Sequence, residues 1–290
     1  MRIGAVYPQT ELGGDPEAVR RIGIGVEQLG FDHLLAYDHV LGAVQTDRDP
    51  PLAGPYDETV PFHDPLVMFG YLAALTERIE LVTGILVLPQ RQTALVARQA
   101  ADVDLLSGGR LRLGVGVGWN WVEYQALGQD FHTRGLRQEE QIELMRRLWT
   151  EPVVEHHGRF DVVDRAALVP RPNRTIPIWM GGFGSAAFAR AARLADGFIF
   201  SGRAEGDTAP WERVKANLAD AGRSLDEFGA EQVVGGRGAP AEVAERVHAW
   251  EAAGGTHATI STMGLGLDSA EAHLDRLAAV ADELGLRPSS

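Results

Sequence analysis

The chain contains no cysteine, so disulfides, thiolate metal sites and cysteine nucleophiles are all excluded. Lysine is nearly absent as well. Lys215 is the only one, and arginine carries almost all the positive charge. Cations are in deficit overall, with 27 Lys and Arg against 40 Asp and Glu and a formal net charge of −13. That balance opposes binding to nucleic acid or to an anionic membrane surface and leaves a local pocket as the place for an anion. No apolar run approaches the roughly 20 residues needed to cross a bilayer. Arg2 precedes a strand-like segment rather than a secretory apolar region, so a cytoplasmic location is expected. Linkers, internal repeats and low-complexity tracts are missing too, and residues 1–290 read as a single domain.

What is present is a regular alternation, supported by 45% hydrophobic residues. Apolar β-like runs fall at 2–7, 33–37, 79–86, 111–117, 176–180, 197–200, 231–235 and 257–261. Segments of 3.6-residue periodicity separate them, at 16–29, 65–76, 93–106, 136–149, 185–194, 241–252 and 270–284. Such an order predicts a closed (β/α)8 TIM barrel, with an open doubly wound sheet as the rival; the strand count and chain length favour the barrel. The proline-rich, acidic stretch 46–64 reads as a long loop after the second strand. Residues 151–171 read as a hairpin-like excursion. Both are expected at the C-terminal face, where barrels build their sites.

Several short patterns carry chemistry. In Pro177-Ile178-Trp179-Met180-Gly181-Gly182-Phe183-Gly184-Ser185 an apolar run stops at glycines and a helix follows. Glycines allow close backbone approach, and a helix N-terminus offers unpaired N–H groups and a positive dipole end, which together suit a phosphate. An ordinary strand-to-helix turn is the alternative. Ser201-Gly202-Arg203 adds a second glycine turn ending in a guanidinium suited to phosphate. Gly114-x-Gly116-x-Gly118-Trp119 departs from a dinucleotide fingerprint, because tryptophan stands where glycine is needed. It reads better as a barrel strand whose glycines admit a planar ligand, with Trp119 as a wall.

Asp38-His39 follows the second strand directly, where catalytic side chains of a barrel appear. His39 could move a proton near neutrality, and Asp38 could orient it or accept from a ligand amide; a capping Asp beside a solvated His is the bland alternative. His156 and His157, adjacent in an extended stretch, point to opposite faces, so no metal site is expected there. Ser185 fits an N-cap rather than a nucleophile. Glu139, Glu140 and Glu143 among arginines read as a solvated, salt-bridged helix face.

Longer stretches bear a family resemblance. Arg78-Ile79-Glu80-Leu81-Val82-Thr83-Gly84-Ile85-Leu86-Val87-Leu88-Pro89-Gln90-Arg91 resembles the third-strand motif of the bacterial luciferase-like monooxygenase superfamily. The Leu106-Ser107-Gly108-Gly109-Arg110-Leu111 turn and the Gly114–Asn120 ending resemble the branch that uses the deazaflavin coenzyme F420. Phe131-His132-x-Arg134-Gly135 through Trp149, the 177–182 run and Ala195-Asp196-Gly197 extend the likeness over nearly the whole chain.

The resemblance implies a luciferase-like barrel with F420, or alternatively FMN, across its C-terminal mouth. It assigns Asp38 and His39 to the pair approaching the deazaflavin ring. Thr83, Gly84 and Ile85 fall at a strand end that often holds a non-proline cis peptide, at Gly84–Ile85 here. Gly118 and Trp119 would border the ring, Gly181, Gly182, Phe183 and Gly184 would form the phosphate turn, and Arg203 would be the basic phosphate ligand. A departure limits the assignment. The acidic residue that follows the glycine strand in sugar-phosphate dehydrogenase members is Trp119 here, and the tryptophan after their Asp-His pair is missing near Val44. The implied activity is an F420-dependent oxidoreductase with a small organic substrate, and a homodimer is the expected assembly. An FMN-dependent monooxygenase and a non-catalytic cofactor-binding protein are the alternatives.

Overall fold

The computed structural model describes residues 1–202 and 205–287. Its main sheet contains β1 (Arg2–Val6), β2 (His33–Ala36), β3 (Glu80–Thr83), β4 (Leu86–Val87) and β5 (Leu111–Gly116). The antiparallel pair β6 (Val154–His157) and β7 (Val162–Ala166) stands apart, and β8 (Ile178–Gly181), β9 (Gly197–Phe200), β10 (Gly229–Gly235) and β11 (His257–Ser261) complete the main sheet. All main-sheet pairings are parallel, and β3 pairs with β5, which closes the ring. Counting β3 and β4 as one interrupted strand gives eight staves, the expected (β/α)8 barrel.

Around it run α1 (Pro16–Gln28), α2 (Pro65–Ala73), α3 (Thr93–Leu106), α4 (Trp121–Ala126), α5 (Arg134–Thr150), α6 (Ser185–Leu194), α7 (Ala209–Asp220), α8 (Pro240–Ala252) and α9 (Ala270–Glu283). Local chemistry sets their starts. Asp64 accepts from the N–H groups of Leu66 and Val67 at 3.0 and 3.1 Å, with Pro65 at the first helical position, so α2 begins where the long loop ends. Helices α4 and α7 were not expected from periodicity. Among the described residues no helix is long and apolar enough to cross a membrane.

Strand alternation divides the core in two. Ala5, Leu34 and Leu81 face outward to the helices, in a large shell. Their neighbours Val6, Leu35 and Val82 face inward and meet Trp179, Ile199 and Val233 in a compact plug. Below the plug the barrel is filled with charge. Arg112 donates to Glu231 and, at 3.0 Å, to Glu80, while its guanidinium lies 4.2 Å from the centre of the Trp179 ring. His33 Nε2 sits 2.8 Å from Glu231 and 2.7 Å from the Thr259 hydroxyl. Glycine makes the room: a Cβ at Gly4 would strike the His33 ring, and one at Gly197 or Gly229 would strike Trp179.

The stretch 46–64 packs over the C-terminal mouth, as expected. Residues 151–171 do form a hairpin, but it joins α5 to β8 and is therefore rooted at the opposite end of the barrel. Its turn is held to the outer wall by Glu140, which accepts from the N–H groups of Arg159, Phe160 and Asp161, and by Thr93, which donates to Asp161. Glu139 likewise ties α5 to Arg190 and Arg193 of α6. These glutamates fasten elements together; they do not simply decorate a solvated face.

Candidate active site

Strand β2 ends at Ala36, and Tyr37, Asp38 and His39 follow at the mouth. Tyr37 is anchored by Gln9, which accepts from the Tyr37 N–H at 2.9 Å and donates to its carbonyl at 3.1 Å. Burial pushes the Tyr37 phenol up, so it stays neutral. With Ile85 and Met263 it lines the upper side of the apolar plug.

Asp38 does not orient His39. Its carboxylate accepts from the Val87 N–H at 2.8 Å and from Arg91 at 2.7 Å, and Arg91 reaches on to Asp64 at 2.8 Å. Burial pushes the Asp38 carboxyl up, against the pull of Arg91. Asp38 thus joins the β2 end to β4 and to the start of α2, and the expected direct role on a ligand is not what its bonds provide.

The partner of His39 is Glu123, on α4. His39 Nδ1 lies 3.0 Å from one oxygen of Glu123, and the other oxygen accepts from the Val40 and Leu41 N–H groups at 2.7 and 3.0 Å. Neither periodicity nor the family motif singled out Glu123. A usable signal was there: Asn120-x-x-Glu123 is the spacing of a helix start, and Asn120 does cap α4 by accepting from Val122 and Glu123. Three rings surround the imidazole edge-on, Phe62 at 5.0 Å, Tyr56 at 5.4 Å and Trp119 at 5.6 Å between centroids. Two come from the 46–64 loop, which also crosses Trp119 so closely that a Cβ at Gly54 would strike the indole. His39 keeps 8% of its side-chain exposure, and no protein partner of Nε2 is found among the described residues.

The Gly84–Ile85 peptide is cis, as the resemblance implied. Thr83 itself is buried, with its hydroxyl donating to the Gly114 carbonyl at 2.7 Å, so its side chain serves the β3–β5 junction. A Cβ at Gly116 or Gly181 would run into the Ile85 side chain, and one at Gly114 into the Thr83 carbonyl. The strand glycines therefore seat Ile85 and the neighbouring backbone; they do not lie bare for a planar ligand. Gly118 turns the chain with φ +63°.

Beyond β8, Gly182 is half-buried, and Phe183 and Gly184 are exposed, ahead of α6. Gly184 is the N-cap residue, and among the described residues no side chain caps the helix. Ser185 is the first helical residue, not the cap. The opening N–H groups of α6 thus face the mouth side without a side-chain acceptor, which suits an anionic group. Ser201, just past β9, has a buried hydroxyl with no partner among the described residues. Arg203 lies outside the described residues.

An apolar floor, a glycine turn at an uncapped helix, an orphaned hydroxyl and a held imidazole fit a phosphorylated ring coenzyme. The family model described as luciferase-like monooxygenase matches residues 2–230. An uncharacterized protein of Mycobacterium tuberculosis is 30% identical over 285 residues, covering 96% of this chain and 98% of the relative. Another from the same species is 40% identical over 159 residues, a match spanning about half of each protein (54%). The F420-dependent glucose-6-phosphate dehydrogenase of Nakamurella multipartita is 30% identical over 235 residues, 79% of this chain and 65% of that enzyme. Among solved structures, the monooxygenase RslO1 from Streptomyces bottropensis superposes with a TM-score of 0.81 at 20% identity, covering 98% of both chains. An F420-dependent secondary alcohol dehydrogenase in complex with an F420–acetone adduct gives 0.77 at 15% identity, again over 98% of both chains. By its sequence match and its barrel, the chain belongs to the luciferase-like monooxygenase family.

Proposed function

We propose that this chain is an F420-dependent oxidoreductase in which His39 handles the proton that accompanies hydride transfer to or from a small organic substrate. The observation that carries the reading is His39 itself: a sheltered imidazole at the barrel mouth, bonded at Nδ1 and free of protein partners at Nε2 among the described residues. The relatives named as F420-dependent dehydrogenases support the choice of coenzyme. When bound, F420 would supply the hydride-carrying ring carbon.

The chain's own residues do the rest. The Gly181–Gly184 turn and the start of α6 hold the phosphate by backbone N–H groups and dipole, with Arg203 as the sequence-based candidate for a charged contact. Ile85, Tyr37, Met263 and Trp119 form apolar walls for the ring. Tyr56 and Phe62 exclude water from His39, which keeps the proton transfer local. Trp119 at the position of the sugar-phosphate enzymes' acid makes that wall apolar, so glucose 6-phosphate is not the proposed substrate. Small enones and quinones are the acceptors to screen first.

The test is turnover of reduced F420 against a panel of enones and quinones, for wild type and His39→Asn. Loss of turnover in the variant with coenzyme binding retained is the expected result. Equal turnover removes His39 from the chemistry, and tight FMN binding with oxygen-dependent activity replaces the coenzyme assignment.

A further inference from the structure

We propose that Glu123 is a positioning residue: it locks His39 in the form protonated at Nδ1 and leaves Nε2 as the proton-accepting atom at the mouth. The inference rests on the reading of His39 as the proton-handling group.

The geometry leaves Glu123 little freedom. One oxygen takes two backbone N–H groups, from Val40 and Leu41, and backbone N–H can only donate. The other oxygen is thereby aimed at His39 Nδ1, 3.0 Å away. A carboxylate only accepts, so Nδ1 must carry the hydrogen, and the neutral ring then bears its lone pair on Nε2. The clamp is rigid as well as directional. Glu123 is 1% exposed, Asn120 caps its helix and donates to the Leu41 carbonyl, and the Tyr124 hydroxyl donates to the Val117 carbonyl at 2.6 Å. The polypeptide on both sides of the contact is therefore fixed. Other groups near the ring do not compete. Tyr56 is held neutral by burial, Phe62 and Trp119 present ring edges, and the Asp38 carboxylate is taken by Val87 and Arg91.

Glu123→Gln makes a sharp test, since it keeps the shape and reverses one donor. The amide oxygen must stay on the Val40 and Leu41 N–H groups, because an NH2 group there would meet two donors. The amide NH2 then faces Nδ1, which has to accept, and the hydrogen moves to Nε2. The experiment is 15N NMR of the protein labelled at histidine, with the His39 signals identified by their loss in His39→Asn. With the ring neutral, wild type should show a pyrrole-like Nδ1 and a pyridine-like Nε2, and Glu123→Gln should show the two exchanged. A merely structural glutamate would leave the tautomer unmoved. In turnover of reduced F420, kcat should drop by roughly 10²–10⁴-fold with KM little changed, the pattern of a lost proton acceptor.

A wild-type ring protonated at Nε2, or an unchanged tautomer in Glu123→Gln, overturns the proposal, and the wild-type spectrum decides even if the variant fails to fold. If the tautomer exchanges as expected but His39→Asn keeps full turnover, the clamp stands and the functional reading of His39 falls.

Discussion

Two histidine–glutamate pairs stand at opposite ends of β2, and their surroundings differ in charge and in access. At the closed end, His33 Nε2 lies 2.8 Å from Glu231, and Glu231 is also engaged by Arg112 and Thr259. At the mouth, His39 Nδ1 lies 3.0 Å from Glu123, whose second oxygen is taken by backbone N–H groups alone. The lower pair faces a full countercharge, Arg112, and is sealed beneath Trp179; His33 Nδ1 finds no partner among the described residues either, but the ring is fully buried. Among the described residues the upper pair has no cation bonded to it, and its ring keeps some exposure at the mouth. The same two residue types thus close one end of the barrel and, in the proposed function, serve proton exchange at the other. Charge in a barrel interior is not in itself a sign of chemistry; what matters is whether an unpartnered atom can be reached from the mouth.

The largest effect should come from breaking the closed end. Arg112→Met strands the buried Glu231 without its arginine and leaves Glu80 only Arg2, at 3.6 Å, and losing one partner of a buried ion pair costs about 3–5 kcal/mol. Denaturant unfolding should register that loss. A folded fraction should still bind F420, because the mouth is separate; lost binding with intact stability would erase the distinction between the ends.

His39→Asn is the reciprocal test at the mouth. It should lower kcat by about 10²–10⁴-fold. Its cost in unfolding free energy should stay below that of Arg112→Met, about 1.5–3 kcal/mol for the lost bond to the Glu123 carboxylate. A strongly destabilised variant would make the upper pair a structural staple like the lower one.

Smaller and of opposite signs in its two readouts is Ser185→Asp. A carboxylate at the first position of α6 favours the helix dipole and should stabilise the fold by about 0.3–1 kcal/mol. The same charge should repel a phosphate at that helix start and weaken F420 binding about tenfold, or 1.4 kcal/mol. Unchanged affinity by titration calorimetry would move the phosphate elsewhere.

The mildest test uses pH. Burial, with Arg112 alongside, lowers the half-buried His257 to about 2 from an ordinary value of 6.5. Burial alone would raise the Glu231 carboxyl, but Arg112 and His33 together hold it well below the usual range. Both folded-state values are depressed, so both contributions are present above the unfolded values and fade as pH falls. Stability should decline from about pH 6.5 through His257, and more steeply below about pH 4.5 as Glu231 joins. His257→Asn should shallow the upper range without abolishing it, because burial also lowers His273 from its ordinary value. A stability profile flat between pH 6.5 and 5 would contradict the picture of the closed end.

Much of this architecture was legible in the sequence, because barrel strands and helices declare themselves over short windows. Thr93–Leu106, Ser185–Leu194, Gly197–Phe200 and His257–Ser261 were read with the bounds they have in the structure. The 79–86 run was read as one strand, since its break lies in the cis Gly84–Ile85 peptide, which leaves no trace in hydrophobic periodicity. The site was half legible. His39 followed from its place after β2, but its partner did not, because Glu123 stands 84 residues away on a six-residue helix too short to show a period. Asp38 was adjacent in sequence and so looked like the partner. In extended chain adjacent side chains diverge, and Asp38 went to Arg91 instead. The ion cluster of the closed end was invisible for the same reason, His33 and Glu231 being 198 residues apart.

The central claim is that the mouth of this barrel takes F420. Fluorescence titration of the purified protein with F420, with FMN as competitor, tests it most directly. The account expects saturable binding of one F420 per chain that FMN does not displace, and that Ser185→Asp weakens. Tight retention of FMN with no response to F420 would contradict it.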